Sequence, residues 1–212
     1  MTSTNQIKSI LNAAAVRYGV AIKTFRPWIS TYPRNNVIAE RNISFYIAHE
    51  FCKKIQAGHA FMEREFRRPT EGTNASLKLD TYCTSPELAM LVEVKVLVDI
   101  PYASGLAEDF DRVTEEVAQQ QSQLHVGDKP RTTHGLVVAE TWKRNAREWW
   151  AGRTPDKPFP EAATAHLQRA RDGGWCFGEH SVGTFVHGSE APAAGQECYW
   201  LYAITPPFRN AA

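Results

Sequence analysis

Two carboxylates and a lysine set among apolar strand residues are the side chains best placed for chemistry. The segment Leu91-Val92-Glu93-Val94-Lys95-Val96 is otherwise apolar and β-branched, which predicts a buried central strand over 89–98. Strand side chains alternate faces, so Glu93 and Lys95 point one way, and Met90, Val92, Val94, Val96 and Val98 the other. An unpaired carboxylate or ammonium is costly to bury. A metal ion beside Glu93 would offset that cost, and so would a Glu–Lys ion pair on a solvent-facing side. Asp80, in Leu77-Lys78-Leu79-Asp80-Thr81-Tyr82, is likewise flanked by apolar residues. Ser85-Pro86-Glu87 suits a hairpin connection that would bring Asp80 beside Glu93 on a neighbouring strand. Two carboxylates converging at strand ends make an oxygen-rich pocket suited to Mg²⁺ or Mn²⁺. Such an ion polarises a phosphate oxygen and lowers the pKa of a bound water. Lys95 would stabilise the pentacovalent phosphate or orient the attacking water.

The elements that must position these groups follow from hydrophobic periodicity and breakers. A helix is predicted over 4–18, ending at Gly19, with Ile7, Ile10, Leu11, Ala14 and Val16 as its apolar face. Residues 20–36 read as an irregular connection, and a second helix runs from about Asn36 to about Gln56. Strands are expected over 60–68 and 76–83, followed by the central strand. A Glu- and Gln-rich helix covers about 107–124 and a strand 135–140. Helices over 141–150 and 161–171 and strands near 175–186 and 199–205 complete the chain. The prediction is an α/β fold: a mixed central sheet flanked by α-helices.

The order helix with Glu, strand with Asp80, strand with Glu93-Val94-Lys95, then helix, resembles the core of the PD-(D/E)XK nuclease superfamily, the restriction-endonuclease-like fold. The resemblance covers about residues 37–140. Leu79 stands where the usual Pro precedes the Asp. The chain then reads as one nuclease-like domain over 1–212, with an N-terminal helix and an aromatic-rich C-terminal extension. The resemblance implies an Mg²⁺- or Mn²⁺-dependent endonuclease that leaves a 5′-phosphate, in a setting of restriction, defence, mobile-element function or repair. Asp80 and Glu93 would bind the metal and Lys95 would assist attack. The superfamily often adds a glutamate from the first core helix, here Glu40 or Glu50. Glu40 lines up with Ile43, Ile47, Phe51 and Ile55 near the helix start, where the dipole favours an anion, and is the preferred candidate. DNA is the expected partner, with RNA as the alternative, and a homodimer is compatible. The competing interpretation is a non-catalytic nucleic-acid-binding or assembly protein that keeps the fold.

Composition bounds these readings. The 212 residues carry a net charge of +1, with 43% hydrophobic and 22% charged residues, as in an ordinary globular protein. No stretch approaches a membrane span, and Met1 to Leu11 lacks an apolar signal core, so a cytoplasmic location is expected. Cys176, His180, His187 and Cys198 match no zinc motif and read as packing or surface groups. Arg131, Lys143, Arg144, Arg147 and Arg153 crowd one region, either as a phosphate-binding cluster or as a solvated helix face. Glu63 and Glu65 share a strand face and read as solvent-facing, with a place near the metal as the alternative. Arg112 is expected in a surface ion pair with Glu108, Glu115 or Glu116. The tail aromatics (Trp142, Trp149, Trp150, Trp175, Tyr199, Trp200, Tyr202) read as core or partner surface rather than as a platform for bases. No GxSxG, P-loop or HExxH pattern is present, which removes the commonest rival hydrolases.

Overall fold

The computed structural model describes residues 2–29, 37–67, 76–97, 100–114, 132–185 and 196–208. Two helices come first, α1 (Ser3–Ile29) and α2 (Val37–Lys54). Three strands follow, β1 (His59–Arg67), β2 (Ser76–Thr84) and β3 (Leu88–Leu97). A 3-10 turn over Ile100–Gly105 leads into α3 (Leu106–Arg112) and then β4 (Thr132–Thr141). The chain continues through α4 (Arg144–Trp150), α5 (Glu161–Asp172), β5 (Cys176–Phe185) and β6 (Gln196–Ile204). The six strands form one mixed sheet in the order β1-β2-β3-β4-β6-β5. Only β3 and β4 run parallel; the other neighbours are antiparallel. The α/β class expected from the sequence is therefore observed, and the C-terminal strands extend the same sheet.

Helices cover both faces, which is why β3 is apolar on both sides apart from Glu93 and Lys95. On one face, Ile7, Ile10 and Leu11 of α1 and Ile43, Ile47 and Phe51 of α2 pack on Met90, Val92, Val94 and Val96. On the other, Phe110, Trp149, Trp150 and Leu167 pack on Leu91, Leu97, Val137 and Leu201. Burying such side chains contributes roughly 1.5–3 kcal/mol each. Glu93 and Lys95 lie on this second face, beneath α3.

The strands and later helices sit within a few residues of their predicted bounds. The first helix does not. It continues through Gly19 to Ile29, so 20–29 is helical, and Val16 is 54% exposed rather than part of the apolar face. Gly19 serves close packing instead of termination: a Cβ there would lie 2.0 Å from the Val182 carbonyl oxygen of β5. The helix predicted over 107–124 is described only through Arg112, and residues 115–131 lie outside the described set.

Candidate active site

The β2–β3 connection is tight because Ser85 closes it. Its hydroxyl accepts the N–H groups of Glu87 at 3.3 Å and Leu88 at 3.0 Å, and its own N–H donates to the Leu88 carbonyl at 2.9 Å. From this turn the strands pair through Thr84↔Ala89 to Thr81↔Val92 and then separate. The next pair in that register would be Asp80 and Glu93. At this fork the Asp80 carboxylate accepts the Val94 N–H at 2.7 Å, and the Glu40 carboxylate accepts the Val96 N–H at 3.1 Å. Two backbone donors of β3 thus end on acidic side chains, which satisfies them without a strand partner. Glu40 reaches β3 from the first turn of α2.

Glu93 is 2% exposed, and its Oε1 has no hydrogen-bond partner. Burial, followed by the charge of Asp80, pushes its pKa up to about 9. Burial also raises Asp80, against the opposing effects of the Val94 N–H, Arg112 and Lys95. The two carboxyl groups are close enough to hydrogen-bond each other. A neutral Glu93 beside Asp80 is the expected state of crowded carboxylates without a strong counter-ion.

The remaining groups come from α3. Asp109, 2% exposed, receives Arg112 on Oδ1 at 2.5 Å, while its Oδ2 makes no hydrogen bond and lies 4.0 Å from Lys95 Nζ. Burial raises Asp109 to about 6, with Lys95 and Arg112 acting the other way. Arg112 Nε also stands 3.8 Å from Glu93 Oε2. The surface pair expected for Arg112 with Glu108 is the longer contact, at 3.9 Å. Its main partner is Asp109, because the α3 stripe that faces the sheet carries that carboxylate; Glu115 and Glu116 lie outside the described residues. Asp109 was the residue missed by sequence reasoning. Its signal was present: Leu106, Asp109, Phe110 and Val113 form a 3–4 repeat, which places an acid on a buried stripe.

The structure separates the two helix glutamates. Glu40 lies at the fork, whereas Glu50 is buried in an ion pair with Arg17 of α1, at 2.5 Å. Glu63 is 40% exposed and bound to Arg41 at 3.0 Å and Lys78 at 3.1 Å; the Glu65 side chain lies outside the described residues. Among the described residues, no three His, Cys, Asp or Glu side chains form a ready-made metal cluster. Asp80 and Glu93 instead form a pair, with Glu40 turned to the Val96 amide. Cys176 and Cys198 are also far apart, since Cys198 pairs with Gly183 while Cys176 pairs with Ile204; His187 lies outside the described residues. Trp149, Trp150, Trp200 and Tyr202 are buried, so these tail aromatics are core. No described helix is long and apolar enough to cross a membrane. Comparison with protein-family models, curated proteins and solved structures returned no match.

Proposed function

We propose that this protein is a divalent-metal-dependent endonuclease of the PD-(D/E)XK type that hydrolyses phosphodiester bonds in DNA. The observation that carries the reading is the meeting of Asp80 with Glu93 at the β2–β3 fork, with Lys95 two residues on along the same face of β3. The order of α2 with Glu40, β2 with Asp80, β3 with Glu93 and Lys95, then α3, supports it.

The donor set suits a hard cation. Asp80 and Glu93 offer carboxylate oxygens, and the buried Glu93 Oε1 lacks a partner. Mg²⁺ is commonly held by one or two carboxylates, with waters and substrate phosphate completing its shell. Bound there, Mg²⁺ or Mn²⁺ would supply Lewis acidity toward a phosphate oxygen and a lowered pKa for a water. Glu93 must lose its proton to serve as a ligand. Asp109 lies 4.0 Å from the Lys95 ammonium, on the face where phosphate charge would develop. Glu40, which accepts the Val96 N–H, would be a further holder of the ion, directly or through water.

The test is nicking of supercoiled plasmid with and without Mg²⁺, beside an RNA substrate of equal length. Metal-dependent cleavage is expected, with Lys95→Ala and Asp80→Ala lowering the rate by roughly a hundredfold or more. Full activity in both variants sinks the assignment. A second reading, a non-catalytic nucleic-acid-binding or assembly protein of the same fold, draws on Arg112, which pairs with Asp109 and stands beside Glu93 without metal. Failure of Mn²⁺ to bind the wild type would favour it.

A further inference from the structure

We propose that the arginine-lined cleft between α4, α5 and β5 binds backbone phosphates of the same nucleic-acid strand that enters the carboxylate site. The inference rests on the nuclease reading and names how that substrate is held. The cleft has a volume of about 520 Å³ and is lined by Arg144, Arg147, Arg153 and Arg171 against only Glu148 and Glu179.

Both carboxylates are already used. Arg144 Nε meets Glu148 at 2.8 Å, and Arg147 grips Glu179 through two bonds of 2.6 and 2.9 Å, its guanidinium 3.4 Å over the Tyr199 ring. Glu197 lies 3.9 Å from Arg147 and is not part of the lining. Arg171 donates to the Trp149 and Trp150 carbonyls at the end of α4, at 3.3 and 2.5 Å, and stands 4.9 Å over Phe177. Arg153 and Arg171 make no ion pair with a carboxylate among the described residues. Guanidinium groups fixed this way, with charge to spare, suit phosphate oxygens.

The sheet register places the cleft. Glu93 pairs with Val137, Val137 with Ala203, and Ala203 with Phe177. Lys95 leads in the same way through Ala139 and Leu201 to Glu179. The cleft therefore sits level with Glu93 and Lys95 on the same sheet face, three strands away. At about 4.8 Å per strand this is about 14 Å, or about four base-pair steps of B-form rise. The carboxylate site itself sets Glu40, Asp80 and Asp109 against Lys95 and Arg112, with Glu93 neutral, so without metal it does not attract a polyanion. The cleft would supply that attraction at about 14 Å from the reacting groups.

The test is fluorescence anisotropy with a labelled DNA oligonucleotide in EDTA, where no cleavage occurs, across a salt series. The Arg144→Glu, Arg153→Glu double variant changes two exposed residues, so folding is preserved; a matching melting curve checks this. It is expected to bind roughly tenfold more weakly, with a log–log salt slope shallower by about one to two. Lys53→Glu, at the end of α2, is expected to match the wild type. Wild-type affinity and slope in the double variant, or no DNA binding by the wild type, overturns the cleft assignment. The nuclease reading is decided separately by the plasmid assay.

Discussion

Glu93 is the residue on which the proposed chemistry turns, and its pH behaviour has a definite sign. An unfolded glutamate titrates near 4.5, whereas burial and Asp80 hold Glu93 at about 9 in the fold. Between those values the folded state binds the extra proton, so metal-free stability falls as pH rises. Asp109, raised to about 6, follows the same sign at lower pH, and the buried Glu140, also raised by desolvation, adds to Glu93 with the same sign. Thermal unfolding in EDTA should show a falling Tm over the span from pH 7 to 9. Glu93→Gln, which mimics the protonated acid, should lessen the slope and leave the part due to Glu140; an unchanged slope would show that Glu93 is not a source of it. Lys95 offers a second probe. A Cβ at Gly105 would lie 2.8 Å from the Lys95 ammonium, the far end of a flexible side chain. Gly105→Ala should therefore displace the ammonium with little change in Tm, and slow cleavage about ten- to a hundredfold.

The elements explain why these groups meet. The sequence pattern of β2 and β3 made Asp80, Glu93 and Lys95 legible, because charged residues in apolar strands stand out. Glu40 was legible from its place on the apolar stripe of α2. The Arg112–Asp109 pair was not, because the helix was read as Glu- and Gln-rich with Arg112 at its surface, and its buried stripe was overlooked. The end of α1 was missed for a related reason. A glycine inside a helix costs about 1 kcal/mol and usually marks an end, but here it admits the backbone of β5. Gly135 of β4 plays a similar part beneath α3: a Cβ there would lie 1.9 Å from the Val113 carbonyl oxygen. Gly135→Ala should destabilise the fold by about 1–3 kcal/mol, measured by urea unfolding. It should also weaken the Lys95–Asp109 contact by lifting α3, seen as slower cleavage by the fraction that stays folded.

At the scale of the whole molecule, one sheet holds both the acidic pocket and the arginine cleft, in a chain whose net charge is +1. Composition therefore gave no sign of either patch. Nor could local pattern reveal that β6 inserts between β4 and β5, since that order depends on contacts between distant segments. Metal binding should be visible in global stability, because a ligand that binds only the folded state stabilises it. At a hundred times Kd the gain is about 2.7 kcal/mol. Mn²⁺ is expected to raise the Tm of the wild type and of Lys95→Ala, and to leave Asp80→Ala and Glu93→Gln unmoved. Equal shifts in all four proteins would place the ion elsewhere.

The fork in the β2–β3 ladder gives the protein two internal reporters. The amides of Val94 and Val96 are tied to the same carboxylates that a cation would claim. Their proton resonances therefore register any oxygen that turns away, without a label and without turnover. A change at Val94 alone on adding a diamagnetic ion such as Mg²⁺ would mean that Asp80 responds while Glu40 keeps its post. Matching changes at both positions would mean that the helix and the strand answer the ion together.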